Sequence, residues 1–343
     1  MRLTWKTQRL PLEFPFGLSR SVQDVAETVL VEFIDPDNVS GIGEAVPAAF
    51  YGETPDSVDA FYRLIQTEGL LSGLEAHDIQ RLDLRLNRLP GNWAAKAGLS
   101  IALHDLHAKK LGLPLYQVWG LDPHAAPRSS YTIGIADLAL VRHKTELALQ
   151  RGYDILKVKV GGPQDLETLQ LIRDLAPAAT IRVDANAGWT LSGALALMPT
   201  LLAVGVEFIE EPLKLDSPPE DYVTLKAESP IPLMADERCH FAADLPQLAP
   251  IYDAINIKLT KCGGLTQALA LIHTAKALGL KIMLGGFAES SVSVTALSHL
   301  SPLVDYADLD GALLLAADPF DGLRFSGSQL VLPTRPGIGV VAK

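Results

Sequence analysis

Six charged residues in the middle of the chain have the types and the spacing to do chemistry. Asp184 in IRVDANAGW, Glu210 in VEFIEEP and Asp236 in PLMADER follow one another at intervals of 26 residues, and each closes a short apolar run. Lys157 and Lys159 in ILKVKVGG lie upstream, and Lys258 in INIKLTKCGG lies downstream, again where apolar runs end. Three carboxylates gathered in one place repel one another, and a hard divalent cation relieves that repulsion. Mg²⁺ accepts a few carboxylates and completes its shell with water or substrate oxygens. The two upstream lysines alternate with Val158 and Val160, so both point the same way from one strand. Any one of these residues alone would pass for a strand cap or a solvated charge. Charges on a buried strand are costly unless paired or functional, so the set as a whole points to a site.

The elements that must position them follow from the interval. A strand, a crossover helix and two loops occupy about 20–30 residues, so a period in that range reads as successive βα units. Apolar runs near residues 154–160, 180–184, 205–210, 231–236, 253–258, 280–285 and 304–310, with YTIGI at 131–135, supply eight strands. In a closed parallel barrel their C-terminal ends share one mouth, and equivalent residues one unit apart become neighbours around a ring. Before about residue 125 the pattern differs. VAETVLVEF and the run entering GEAVPAAFYGET read as strands, and from Ser57 to Leu113 the apolar residues recur at helical spacing, with Ala95, Leu99, Ala102 and Leu106 on one face. We expect an α+β capping domain over 1–125, a barrel over 126–319, and a closing segment, 320–343, that folds back on the cap.

Composition suits an enzyme of one large domain or two: 343 residues, 48% of them hydrophobic, give ample core. A formal net charge of −11 argues against nucleic acid or an anionic membrane as partner. No stretch has the order of a signal peptide or the length of a transmembrane span, which makes a cytoplasmic location the expectation. Cys239 and Cys262 are the only cysteines and lack zinc-like spacing.

The KVK, DAN, EEP, ADE, IKLTKCGG and DLD segments together resemble the enolase superfamily, in its muconate lactonizing enzyme subgroup, nearly end to end. The resemblance implies a (β/α)7β modified TIM barrel with an α+β cap, one Mg²⁺ per subunit on Asp184, Glu210 and Asp236, and Lys159 and Lys258 as acid/base catalysts. Lysine bases with Mg²⁺ and an enolate are an established pattern of that superfamily. A lysine with an ordinary pKa near 10.4 is a poor base at neutral pH until burial or nearby positive charge lowers it. Lys157 could do so for Lys159, contact a substrate carboxylate, or both. One lysine on each side of the ring suits a racemase or epimerase, in which one takes a proton and the other returns one to the opposite face. In similar proteins an acid at the place of Glu237 pairs with the second lysine. Asn186 is either a hydrogen-bonding support for the ligands or a loop cap. Lys261 reads as a solvated rim charge and His240 as a helix-entry residue.

Asp308 and Asp310 in VDYADLDGALLL share a face of the last strand at the mouth, where two acids not needed by the metal could bind an ammonium group. That DxD resembles the dipeptide epimerases, in which it holds the substrate's N-terminal amine; the resemblance thus implies epimerisation of the C-terminal residue of a dipeptide, with muconate cycloisomerase or o-succinylbenzoate synthase chemistry, or a noncatalytic ligand-binding barrel, as alternatives. Two cap loops should meet the second side chain: PFGLSRSVQD, with Arg20, and AVPAAFYGET, with Phe50 and Tyr51. Alanine–glutamate epimerases carry an arginine in the first loop, and Arg20 is displaced by one position from that pattern, with Gln23 further on. Phe16, Leu18 and Phe50 would suit an apolar side chain and Glu53 a cationic one. Thr132 could bond a substrate carbonyl, or simply fill a barrel layer. Phe287 and Glu289 in GGFAES fall near the pocket, where glycines allow close approach of backbone or a tight turn. Barrels of this kind often self-associate, so a homo-oligomer is compatible with the sequence.

Overall fold

The structure is a computed structural model that describes residues 1–19 and 21–343. Strands β1 (Arg2–Leu18), β2 (Ser21–Ile34) and β3 (Ser40–Ala45) form an antiparallel sheet in the order β1-β2-β3. The stretch PFGLSRSVQD, expected as a loop, is instead the end of the β1/β2 hairpin: Phe16 pairs with Gln23, Gly17 with Val22 and Leu18 with Ser21. Helices α1 (Pro55–Thr67), α2 (Ile79–Leu86) and α3 (Trp93–Leu111) pack on this sheet around Val29, Val31, Phe33, Tyr62, Leu99 and Leu103. The α3 helix lies unusually close because β3 carries Gly41 and Gly43, where a Cβ would run into the carbonyls of Ala102 and Gly98.

Eight parallel strands form the second sheet: β4 (Tyr131–Ile133), β5 (Ile155–Lys159), β6 (Thr180–Asp184), β7 (Val206–Glu210), β8 (Leu233–Ala235), β9 (Ala254–Ile257), β10 (Lys281–Gly285) and β11 (Tyr306–Asp308), hydrogen-bonded in chain order. A parallel bridge between Ser129 and Ala307 joins the last strand to the first and closes the ring. Helical segments cross between successive strands, and β11 is followed by a 3₁₀ turn over Gly311–Leu314 and short strand segments in place of an eighth crossover helix, which is the (β/α)7β pattern. The strands lie where the apolar runs predict them. Their near-continuous burial, as in Ile155–Lys159, is what a sheet covered on both faces requires.

A small apolar cluster, Leu10, Leu12, Phe16, Ala26, Ala288, Leu314 and Leu315, joins the hairpin to the barrel mouth. It seats the hairpin tip above the strand ends. The C-terminal segment bonds both parts: Ile338 N donates to Asp105 Oδ1 on α3, and Ser129 N donates to the carbonyl of Ser328 beside the barrel. No described helix is long and apolar enough to cross a membrane.

Candidate active site

Lys159, Asp184 and Glu210 end three adjacent strands and are register partners, so their side chains rise side by side. That alignment depends on a register shift between β6 and β7: Ile181 pairs with Val206 but Val183 with Ile209, so β7 carries one extra residue below the site. Asp236 stands two residues beyond Met234, the partner of Glu210. Carboxylate oxygens of Asp184, Glu210 and Asp236 lie within 4.8 Å of one another, and all three residues are fully buried.

Their charge is balanced by a layer of ammonium groups. Lys157 Nζ lies 3.0 Å from Asp184 Oδ2, 2.7 Å from Glu210 Oε2 and 2.8 Å from Asp308 Oδ2. Lys159 Nζ donates to Asp184 Oδ2 and Lys258 Nζ to Asp236 Oδ2, both at 2.6 Å. Burial pushes the Asp236 carboxyl up, but Lys258 and Lys261 outweigh it and hold the group well below the usual carboxylate range. Glu210 is pushed up to about 8, first by burial and then by the charge of Asp184. For Lys258 burial acts downward, and Asp236 and Glu210 more than reverse it, so the ammonium is favoured. The donor set fits a hard cation: three buried oxygens converge, and the chain already supplies positive charge to each of them.

The structure departs from the sequence reading at several residues. Lys261 is buried rather than a solvated rim charge. It donates to Asp236 Oδ1 at 2.6 Å, to the Asn256 carbonyl at 2.9 Å and to the Asp236 carbonyl. A single helical turn, Leu259–Cys262, follows Lys258 and folds Lys261 back beneath the site. Lys157 faces three acids rather than the pocket. Glu53, considered for a cationic substrate, caps α3, accepting from Trp93 N at 2.5 Å and Ala94 N at 2.9 Å. Glu289 lies behind the pocket wall beside Glu44 and Ser293, and burial, then Glu44, pushes it up to about 8. Gly285, the last residue of β10 ahead of that loop, answers to Asn256, whose Oδ1 would lie 2.5 Å from a Cβ there. Arg20 lies outside the described residues.

Two supporting residues escaped the sequence reading. Asn256 Nδ2 donates to Glu210 Oε1 at 2.8 Å. Glu211 accepts from Asp236 N at 2.8 Å and from Tyr252 Oη at 2.9 Å, and so anchors the segment that carries Asp236. Their only sequence signal was position beside a ligand or a base on a buried strand end. Asn186 N donates to Asp184 Oδ1 at 2.8 Å, and its side-chain amide donates to Glu237 Oε1 at 3.3 Å, so it supports both loops.

Above the ion layer lies a pocket walled by Lys159, Lys258, Thr132, Asn186, Glu237, Asp308 and Asp310, with Phe287 and the hairpin tip opposite. Strands β5 and β9 are four places apart in the ring of eight, so Lys159 and Lys258 approach from opposite sides. Lys258 Nζ sits 4.8 Å from the centre of the Phe287 ring. Asp310 accepts from Thr132 N at 2.5 Å, while the Thr132 hydroxyl donates to Asp308 Oδ1 at 3.3 Å. Burial and then Asp308 push the Asp310 carboxyl up to about 7.

A capped (β/α)7β barrel with three acids and two opposed lysines at its mouth defines a class of protein, and the sequence agrees. The chain belongs to the mandelate racemase / muconate lactonizing enzyme family: residues 2–120 match its N-terminal domain and 139–343 match the enolase C-terminal domain-like family. It is 35% identical to the L-Ala-D/L-amino acid epimerase of Maribacter sp., over 99% of each chain. It is 36% identical to the L-Ala-D/L-Glu epimerase of Bacteroides thetaiotaomicron, over 99% of this chain and 88% of that one. A dipeptide epimerase from Cytophaga hutchinsonii, solved with Mg and the dipeptide D-Ala-L-Val, superposes with a TM-score of 0.91 at 29% identity, covering 99% of this chain and 95% of that one.

Proposed function

We propose that this protein is a Mg²⁺-dependent dipeptide epimerase that inverts the α-carbon of the C-terminal residue by two-base proton transfer. The observation that carries the reading is that Lys159 and Lys258 open on one pocket from opposite sides, with Asp308 and Asp310 on the same wall. Asp184, Glu210 and Asp236 would hold the metal, which supplies positive charge to the carboxylate where negative charge grows as the proton leaves.

The chain's own residues do the rest. Asp308 and Asp310 bind the terminal ammonium, steadied by Thr132, and fix which carbon lies between the lysines. One lysine, as the free amine, takes the α-proton, and the C–H electron pair delocalises into the adjacent carboxylate. The other, as the ammonium, delivers a proton to the opposite face. Both are tied to ligand oxygens here, and each must release its carboxylate for its nitrogen to reach the substrate. Asn186 and Glu237 border the same space and support the loops. A cytoplasmic location and a dipeptide as small-molecule partner belong to the same proposal.

The test is solvent exchange. Dipeptide pools in D₂O with Mg²⁺ should gain one mass unit at the C-terminal α-carbon, together with epimerised product. Lys159→Ala and Lys258→Ala should each abolish epimerisation, by about 10³-fold or more for loss of an acid/base group of this kind. Folded variants that epimerise at the wild-type rate would sink the two-base mechanism.

A further inference from the structure

Resting on the epimerase reading, we infer that Glu289 is a positioning residue for the substrate's amine: its buried side chain is the spacer that sets the Asp308–Asp310 turn against the wall formed by Phe287. Gly285 and Asp308 are register partners at the ends of β10 and β11, so the segments beyond them run side by side. Two glycines keep that contact close. A Cβ on Gly311 would lie 2.1 Å from the Phe287 carbonyl oxygen and 3.2 Å from Glu289 Cγ. A Cβ on Gly286, which lines the pocket, would lie 2.3 Å from Glu289 Oε1. The Glu289 side chain thus fills the room that the glycines leave, directly behind the pocket surface, and it is itself buried.

The cap holds this side chain from behind. Glu44 on β3 is buried and accepts from Ser290 Oγ at 2.7 Å, from Ser293 N at 3.2 Å and from Ser290 N at 3.3 Å, three donors that suit a carboxylate. Glu289 is then the second acid beside a charge, and two buried carboxylates so placed cannot both ionise without cost. Burial, followed by Glu44, pushes Glu289 up to about 8. Near neutral pH it is therefore the neutral acid, whose shape and hydrogen-bonding capacity glutamine reproduces. The charged groups that face it are Glu44 and, just past β9, Lys258. The helix Ser291–Ser298 and the turn Gly311–Leu314 carry no ionisable side chain, and Asp310 is turned to Thr132 N. Lys258 keeps its place through Asp236 rather than through this loop. Loss of the spacer accordingly reaches the amine site before the base, and shows in KM before kcat.

The experiment measures kcat and KM for epimerisation in D₂O with Mg²⁺, on the fastest-exchanging member of an L,L-dipeptide pool. Glu289→Ala should raise KM by about tenfold or more with kcat within about threefold, and Glu289→Gln should recover most of that loss. Gly286→Ala sets a Cβ where Oε1 lies and should raise KM likewise. Combined with Glu289→Ala it should cost less than the product of the two single changes, because the methyl group then enters emptied space. Above about pH 8 the KM of the wild type should climb more steeply than that of Glu289→Gln; the substrate's own ammonium is lost in the same range, equally for both proteins. If Glu289→Ala does not fold, Gly286→Ala and the pH comparison read the same contact. A wild-type KM in folded Glu289→Ala or in Gly286→Ala, a Gln variant as impaired as the Ala one, independent effects of the two changes, or parallel alkaline limbs each overturn the inference while leaving the epimerase reading intact. Absence of exchange by the wild type with the whole pool overturns the epimerase reading, and this inference with it.

Discussion

Replacing Lys261 with Met should destabilise the metal-free protein strongly and the Mg²⁺-loaded protein much less. The ammonium is 1% exposed and holds Asp236 Oδ1 together with two backbone carbonyls. Met matches much of the aliphatic length but removes the ammonium from all three acceptors; the Asp236 carbonyl keeps Cys239 N as a donor, and Asp236 keeps Lys258 as its remaining ion pair. Breaking a buried pair from one side costs about 3–5 kcal/mol. With an unfolding entropy of about 2 cal/mol/K per residue, 343 residues give about 0.7 kcal/mol/K, so the melting temperature in EDTA should fall by roughly 4–7 °C. Saturating Mg²⁺ restores positive charge at the same carboxylate, and attraction between the two is stronger once the competing ammonium is gone. The Mg²⁺-induced rise in melting temperature should therefore be larger in the variant than in the wild type. Differential scanning fluorimetry at matched ionic strength, with and without EDTA, measures both quantities. A variant that melts with the wild type in EDTA, or gains less from Mg²⁺, would refute the assignment of Lys261 as the clamp on Asp236.

Two further outcomes follow from charges near the pocket. Asp310, held up to about 7 by burial and by Asp308, is protonated on the acid side of that value and then attracts an ammonium group less; kcat/KM should decline as pH falls through about 7. Asp310→Asn should flatten that limb and raise KM, and an unchanged acid limb with wild-type KM would remove Asp310 from amine binding. Glu53→Gln weakens two charge-assisted bonds to the start of α3 and should cost about 1–2 kcal/mol. It should leave the relative rates of cationic and apolar dipeptides alone, and a selective change toward either would return Glu53 to the pocket.

The parts of this molecule that were legible in its sequence are those set by local pattern. Apolar runs at a βα period marked all eight barrel strands, because a strand buried on both faces must be nearly continuous in apolar residues. A charged residue closing such a run falls at a strand's C-terminal end, and in a barrel that means the mouth. Asp184, Glu210, Asp236, Lys159 and Lys258 were visible on that ground alone. The segment PFGLSRSVQD was expected as a loop, yet the strands continue to Leu18 and resume at Ser21 once paired across the hairpin.

Sequence by itself determined which residues reach the mouth, since strand ends are a property of the chain's own alternation and length. Only the tertiary structure decided what each one meets there. Lys157 and Asp308 are 151 positions apart and share a bond because the ring closes between its first and last strands. The extra residue in β7 sets Glu210 level with Asp184, a consequence of strand pairing that a count of 26 does not contain. In the sequence Lys261 reads as a rim charge and Glu53 as a cap-loop acid suited to a cationic side chain, and packing turned one toward Asp236 and the other onto the end of a helix. Burial removes water as a partner, so each charge must find another, and which one it finds depends on the elements folded around it.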